Sequence, residues 1–295
     1  MAEDRRGDRG VEGEPIRRPA RYAEHRPHPR LRDRVQCYWS YRGILPARPA
    51  SIEAVLPDAC MDFLFDVAAG TAHLVGTMTR PLRVRRAGSM DLLGIRFRPG
   101  AITAVVDLAA AELTDSIVPL GEALGPAAGP LLERLRATSA SLDRIAALDR
   151  IAALDRMLLV EVPRPSPGGD AAVLAATGIL AGRAGAVRIG ELAAAVGLGR
   201  RQFERRFLHA VGIPPKAAAR VIRFQAALAR MLASPETSLS AVAFSAGYHD
   251  QAHFTRDFGA FAGEAPGAYR ARRAGRGAHV AFLQDTRGSP AYVQA

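Results

Sequence analysis

Residues 189–270 carry one pattern twice: a short apolar helix, a glycine turn, then a polar and basic helix whose phenylalanines stand four apart. The first copy reads Ile189-Gly-Glu-Leu-Ala-Ala-Ala-Val-Gly197-Leu-Gly-Arg-Arg-Gln-Phe203-Glu-Arg-Arg-Phe207. The second reads Leu239-Ser-Ala-Val-Ala-Phe-Ser-Ala-Gly247-Tyr-His-Asp-Gln-Ala-His-Phe254-Thr-Arg-Asp-Phe258. A duplicated helix-turn-helix is a device for reading DNA.

Each copy has its own physical logic. Leu192, Ala193 and Val196 fall on one helical face, Gly197 suits the left-handed residue that ends a helix, and Gly199 is an acceptable N-cap. Phe203 and Phe207 then close a small core, which leaves Arg200, Arg201, Glu204 and Arg205 on the outer side. In the second copy Val242, Ala243 and Ala246 take the apolar face, Gly247 ends the helix, and Asp250 is the N-cap, its carboxylate favoured at the positive helix end. Phe254 and Phe258 repeat the spacing, and Gln251, Ala252, Thr255 and Arg256 face outward.

Second helices of this motif enter the major groove. Arginine reads guanine there, glutamine reads adenine, glutamate accepts from cytosine, and small side chains touch the thymine methyl. A single apolar hairpin with a glycine turn is weak evidence, but a second copy changes its weight. The two turn glycines are fifty residues apart. Between them Pro214-Pro215 opens a long helix, Lys216 to Ala233, with Ala217, Val221, Phe224, Leu228 and Leu232 as its buried stripe. Such a rod can hold two reading helices about 34 Å, one DNA turn, apart on one face of the duplex.

The second copy, followed by Gly263-Glu-Ala-Pro266-Gly-Ala-Tyr269-Arg270, resembles the signature of the AraC/XylS transcription regulators of bacteria, over residues 171–273. The resemblance implies that Arg201, Glu204 and Arg205 face bases in the first half, with Gln251, Ala252, Thr255 and Arg256 as counterparts in the second. Two positions depart from the pattern. Gly199 stands where the family often has serine, which weakens a cap, and Gly259-Ala260 stand where basic residues are common.

Composition fits a polyanionic partner. The 295-residue chain has net charge +11, and residues 171–273 hold fourteen Lys plus Arg against six Asp plus Glu, a surplus of eight. Phosphate contacts from such residues make binding steeply salt-dependent. Arginine abundance alone decides little, since Lys216 is the only lysine and GC-rich coding DNA enriches arginine, alanine and glycine together. No apolar stretch approaches the roughly 20 residues of a membrane span, and Met-Ala-Glu-Asp-Arg-Arg lacks a secretion signal's apolar core, so a cytoplasmic location is expected. With only Cys37 and Cys60, reduced buried cysteines are expected in place of disulfides.

The fold class expected is α+β, a β-rich first domain followed by an all-α domain. Residues 1–30, rich in Arg, Glu, Gly and Pro, read as a disordered tail. Residues 31–135 read as the β-rich regulatory or dimerisation domain, with strands at 35–41, 52–56, 61–67, 73–76, 82–85 and 92–98 between Gly/Pro turns. A helix is expected from Gly100. Trp39, the Leu56 to Asp62 run, Gly76 and the Gly94 to Gly100 run resemble the N-terminal region of an AraC subgroup of unassigned function. Tyr38, Trp39, Tyr41, Phe63, Phe65 and Phe97 are candidates either to line an effector pocket or to form plain core.

Residues 136–170 read as a helical repeat and linker. The hexad Leu-Asp-Arg-Ile-Ala-Ala at 142 recurs at 148, and Leu154-Asp-Arg begins it again. A step of three residues turns a helix by about 300°, so Leu142, Ile145, Leu148, Ile151 and Leu154 drift around the cylinder and a coiled coil is disfavoured. On this reading, deletion of residues 148–153 leaves DNA binding intact. Pro163-Arg-Pro165-Ser-Pro167-Gly-Gly reads as the linker proper, residues 171–273 as the DNA-binding domain, and 274–295 as a flexible tail.

No catalytic residues, cofactor or metal are expected. Asp58, Cys60, Asp62 and His73 make a metal site only on paper, because the paired Cys or His spacings of zinc sites are missing. DNA-repair methyltransferases that carry this kind of DNA-binding domain hold zinc on four cysteines and use one as methyl acceptor; two cysteines cannot make that site. The expected partners are double-stranded DNA, with a small-molecule effector, RNA polymerase and a second copy of the chain as candidates, and no membrane. The competing readings are a DNA-repair or DNA-modifying protein that uses the same domain for delivery, and a constitutive architectural binder.

Overall fold

The computed structural model describes residues 21–45, 51–125, 128–137, 144–161 and 170–274. The first half is an antiparallel sheet of six strands in the order β1 (Arg21–His25), β2 (Val35–Leu45), β7 (Gly88–Phe97), β4 (Met61–Asp66), β5 (Thr71–Val75) and β8 (Ile117–Pro119). A separate ribbon pairs β3 (Ser51–Val55) with β6 (Leu82–Arg86). Alternation assigns the faces. Along β4, Met61, Phe63 and Phe65 are buried while Asp62, Leu64 and Asp66 are half-buried on the other side.

The core face gathers Tyr38, Phe63, Phe65, Leu93, Ile95 and Phe97. Helices α1 (Leu120–Leu124), α2 (Ala128–Ala137) and α3 (Arg144–Arg156) add Leu120, Leu135, Ile151 and Leu154 to the same cluster. The opposite face carries Cys37, Trp39, Tyr41 and Leu92. Gly94 faces Trp39 in register. Any Cβ at Gly94 would stand 2.0 Å from the indole, so glycine is what lets the ring lie across the sheet. The six aromatic candidates are therefore divided between faces and do not line one pocket.

Three expectations need correction. Residues 21–30, expected within a disordered tail, include strand β1, whose ladder to β2 runs from Arg21 opposite Arg42 to His25 opposite Tyr38. Sheet hydrogen bonds and the stacking of Tyr22 on Trp39 at 6.3 Å compensate for the segment's low hydrophobicity. Residues 1–20 lie outside the described part. The helix expected from Gly100 is only a 3-10 turn, Ile102–Ala104. Burial of Ile102, Val105 and Val106 in the sheet core sets this backbone over helical preference.

The third correction concerns the repeat. A six-residue step turns a helix by about 240°, so identical hexads meet different surroundings. Arg150 is 1% exposed and grips Asp91 with two bonds of 2.8 and 2.9 Å, whereas Arg156, one hexad on, is exposed. Asp155 accepts from the Tyr38 hydroxyl at 2.7 Å. A π-helical turn, Met157–Glu161, continues α3 and buries Met157 and Leu158 in the same core. Residues 148–153 thus pack into the first module's core, Arg150 on Asp91 and Ile151 in the apolar cluster, and are not a passive spacer; because the two hexads are identical, deleting 148–153 yields the same chain as deleting 142–147 and keeps an Arg and an Ile in register with Leu154. The Pro163 to Gly169 linker and residues 275–295 lie outside the described part.

The second half is helical: α4 (Ala171–Gly182), α5 (Ile189–Ala195), α6 (Arg200–Val211), α7 (Pro215–Ala233), α8 (Leu239–Ser245), α9 (Gln251–Ala262) and α10 (Pro266–Ala274). Pro215 occupies the first turn of α7, where its missing N–H has no partner to lose. Val221, Phe224 and Leu228 are buried and the flanking Ala217 and Leu232 partly so, as the stripe predicts. One cluster runs through both copies, joining Phe203 and Phe207 to Phe224, Phe254 and Phe258. The fold is α+β, β-rich first and all-α second. No described helix is long and apolar enough to cross a membrane.

Candidate nucleic-acid interface

Both turns have the form the spacing predicts. Gly197 has φ +71° and Gly247 has φ +79°, so the left-handed residue that ends α5 and α8 is glycine each time. The second helices start differently. Gly199 caps α6 through extended backbone alone, while the Asp250 carboxylate accepts from the His253 backbone N–H at 2.6 Å. That bond and then the neighbouring His249 hold the Asp250 carboxyl below the usual carboxylate range.

The outward face of α6 follows from its core face. With Phe203 and Phe207 buried, Arg201 and Arg205 lie opposite them, and both are exposed. Arg200 is exposed at the first turn and donates to Glu204 at 3.0 Å, so Glu204 is engaged within the helix. Gln202, Leu208 and His209 are also exposed on this face. They were not among the sequence candidates, although their offsets from Phe203 and Phe207 carry the signal. Arg206 turns the other way and binds Asp170, the cap of α4, with bonds of 2.6 and 2.7 Å. It serves packing: burial pushes the Asp170 carboxyl up, and the bonds from Arg206 together with the Val173 and Ala172 backbone N–H groups bring it below the usual carboxylate range.

The same construction on α9 exposes Gln251, Ala252 and Arg256, with Thr255 half-buried at the edge. Beyond Arg256 the outward face ends in Gly259 and Ala260. Asp257 is 4% exposed and accepts from Arg220 of α7 at 2.7 Å, which ties α9 to the connecting rod. Around it Phe258 meets Phe224 at 5.3 Å, Phe254 at 5.6 Å and Tyr269 at 5.4 Å. The structure thus brings Arg201 and Arg205 to one exposed face, Gln251, Ala252 and Arg256 to another, and carries both faces on one packed core.

The metal candidates meet in part. Asp58 and Asp62 share Arg96, at 3.2 and 3.1 Å, and Asp62 also accepts from the Trp39 indole at 3.0 Å. Cys60 donates its backbone N–H to Asp58 at 2.9 Å, whereas His73 sits on β5 opposite Leu64. A guanidinium already fills the space between the two carboxylates, and no cluster of metal-ligating side chains occurs among the described residues. Burial pushes the thiols of Cys37 and Cys60 up, which disfavours the thiolate that methyl transfer or a redox response requires.

Two family models match the chain. One, described as a helix-turn-helix domain, covers residues 192–272; the other, a domain of unknown function named DUF6597, covers residues 23–119. No curated protein matches. Among solved structures, an apo variant of ToxT from Vibrio cholerae is 12% identical over 80% of this chain and 96% of its own, with a TM-score of 0.42. ToxT with a bound unsaturated fatty acid is 11% identical over 90% and 100%, at 0.41. The xylose-binding transcription activator xylR is 22% identical over 44% of this chain and 39% of its own, at 0.32. The matched helix-turn-helix region holds two turns of one design on one core, and the chain thus carries a helix-turn-helix domain preceded by a DUF6597 domain.

Proposed function

We propose that α6 and α9 enter adjacent major-groove segments of one operator, and that the N-terminal module modulates this binding. The observation that carries the reading is the pair of exposed helix faces, Arg201 with Arg205 and Gln251 with Arg256, held on a single core that α7 spans. Arg201 and Arg205 suit guanine, Gln251 suits adenine, and Ala252 suits a thymine methyl. Arg200 and Glu204 act together: when Arg200 turns to a phosphate, Glu204 is released to accept from cytosine. Thr255, at the edge of the α9 face, completes the set of proposed contacts.

The N-terminal module in this reading runs from β1 through the π-helical turn, residues 21–161. A small-molecule effector, RNA polymerase or a second copy of the chain would act through it or through the exposed helix faces. Selection of genome fragments by the purified protein at about 150 mM salt, followed by footprinting, tests the reading. Protection over two adjacent major-groove segments, absent on random DNA, is expected. Binding that is salt-sensitive and blind to sequence would contradict it and favour an architectural binder.

A further inference from the structure

Among the described residues, contacts that tie the N-terminal module to the helical domain fall on both halves of the duplicated motif. In the first half, the Thr77 hydroxyl donates to the Val211 carbonyl and the Thr114 hydroxyl to the Gly212 carbonyl, each at 2.6 Å. These are carbonyls at the C-terminal end of α6, where the helix leaves acceptors without internal partners. Gly100 packs beside Val173 and Val211. In the connecting rod, Gln225 of α7 is 5% exposed and donates its side-chain amide to the Pro57 carbonyl. In the second half, Gly263, the residue that ends α9, lies against Pro81 and Arg83.

The loop at residues 56–60 is the centre of this arrangement. Leu56 and Ala59 belong to the core cluster of the helical domain although they come from the first module. Ala59 takes φ +64°, a left-handed conformation that disfavours a residue with a Cβ and persists only where its surroundings hold it. On its other side the same loop is anchored to the sheet through Asp58 on Arg96, itself buried and bound to Asp62, which also accepts from the Trp39 indole. The contacts to α6 and α9 sit at the C-terminal ends of those helices, and Arg201, Arg205, Gln251 and Arg256 stay exposed. An autoinhibitory lid would cover those faces. The docked module leaves them open and holds the ends behind them.

Resting on the reading of α6 and α9 as the two DNA-contacting helices, we propose that the N-terminal module is a brace that fixes their relative position, with loop 56–60 as the pin that couples the Arg96 cluster to α7. A brace raises operator affinity by removing motion between the halves that DNA binding would otherwise have to freeze, and it adds no contact to DNA. A change at the Arg96 face of the sheet would reach the DNA-binding halves through the displacement of this loop, which is a contiguous physical route.

The test uses the full chain with spin labels at Ala194→Cys and Ser240→Cys, exposed positions on α5 and α8 outside both reading helices; Cys37 and Cys60 are buried. The braced protein is expected to give one narrow distance distribution. Thr77→Val with Thr114→Val keeps side-chain volume but removes both hydroxyl donors, and is expected to broaden the distribution and weaken operator binding about tenfold. The slope of log affinity on log salt should stay as it was, because no phosphate contact is lost. Asp58→Asn keeps the loop's size and an acceptor for the Cys60 N–H while removing the charge that faces Arg96; it is expected to move both readouts the same way, by less. A distribution unchanged in both variants overturns the brace whatever the DNA result, and tighter operator binding in both overturns it in favour of autoinhibition. A distribution that broadens while the unsubstituted protein finds no specific site upholds the brace and contradicts the operator reading instead.

Discussion

The two helix-turn-helix copies share a frame and differ on the outward face of the second helix. Each has a glycine turn, phenylalanines four apart and a basic residue at the centre of its outward face: Arg205 in α6, Arg256 in α9. Around Arg205 stand Arg201, Leu208 and His209; around Arg256 stand Ala252, Gly259 and Ala260. The first copy presents long polar arms, and the second a nearly bare helix. Packing is distributed the other way, since Phe203 and Phe207 stack mainly on each other at 5.4 Å, while Phe254 and Phe258 join Phe224, Phe261, Tyr248 and Tyr269. Duplication preserved what the fold needs and left the surface free to specialise. On the proposed reading, the first half carries most of the base discrimination, and the second gives close approach centred on Arg256.

The largest effects should come from the shared frame. Phe258→Ala removes a ring at the centre of the second half's aromatic cluster and should destabilise the domain by about 3–5 kcal/mol in denaturant unfolding. Phe207→Ala, with fewer aromatic neighbours, should fall at or below the lower end of that range; equal losses would break the contrast in packing.

The reading faces come next. Arg205→Ala should relax specificity at one operator position by about 1–3 kcal/mol, measured by competition between operator variants. Arg256→Ala should cost a similar amount at one position of the other half-site. Ala252→Ser, in contrast, should change little, because the second face has few arms to rearrange. If Gln251 and Thr255 substitutions proved as damaging as those at Arg201 and Arg205, the asymmetry would fail.

Smaller effects separate the caps. Gly199→Ser fits, with φ −66° at that residue and open space around its Cα, and should stabilise α6 by a few tenths of a kcal/mol by supplying the missing side-chain acceptor. The Asp250 cap should make α9 the acid-sensitive helix. Its carboxyl is lowered in the folded state, so its contribution is present above the unfolded value of about 3.9 and is lost as pH falls through the folded value. Hydrogen exchange below about pH 4 should show α9 fraying at its first turn before α6 does. Fraying in the reverse order would contradict the assignment of caps.

The sequence displayed the second half well because its signals are local. A 3.6-residue period, glycine at each turn and Pro215 at the start of α7 each act within one or two helical turns, and the strands from β2 to β7 show equally plainly as alternation. What stayed hidden depends on partners far along the chain. Arg150, on helix α3, reads as a solvated charge until Asp91, on strand β7, is seen to hold it. Strand β1 reads as polar tail because its stability comes from β2 and from one ring on Trp39. The helix expected from Gly100 yields to burial on several sides at once. Gln202 and His209 were legible in principle, since the phenylalanines that place Arg201 and Arg205 place them too. Thr77, Thr114 and Gln225 were not, because nothing near them in sequence marks a contact between modules.

The central claim is that two unequal reading helices share one operator, and guanine-N7 methylation interference tests it most directly, comparing the unsubstituted protein with Arg205→Ala and Arg256→Ala. The account predicts two clusters of interfering guanines about one helical turn apart, the richer one altered only by Arg205→Ala and the poorer one only by Arg256→Ala. A single cluster altered by both substitutions, or interference untouched by either, would contradict it.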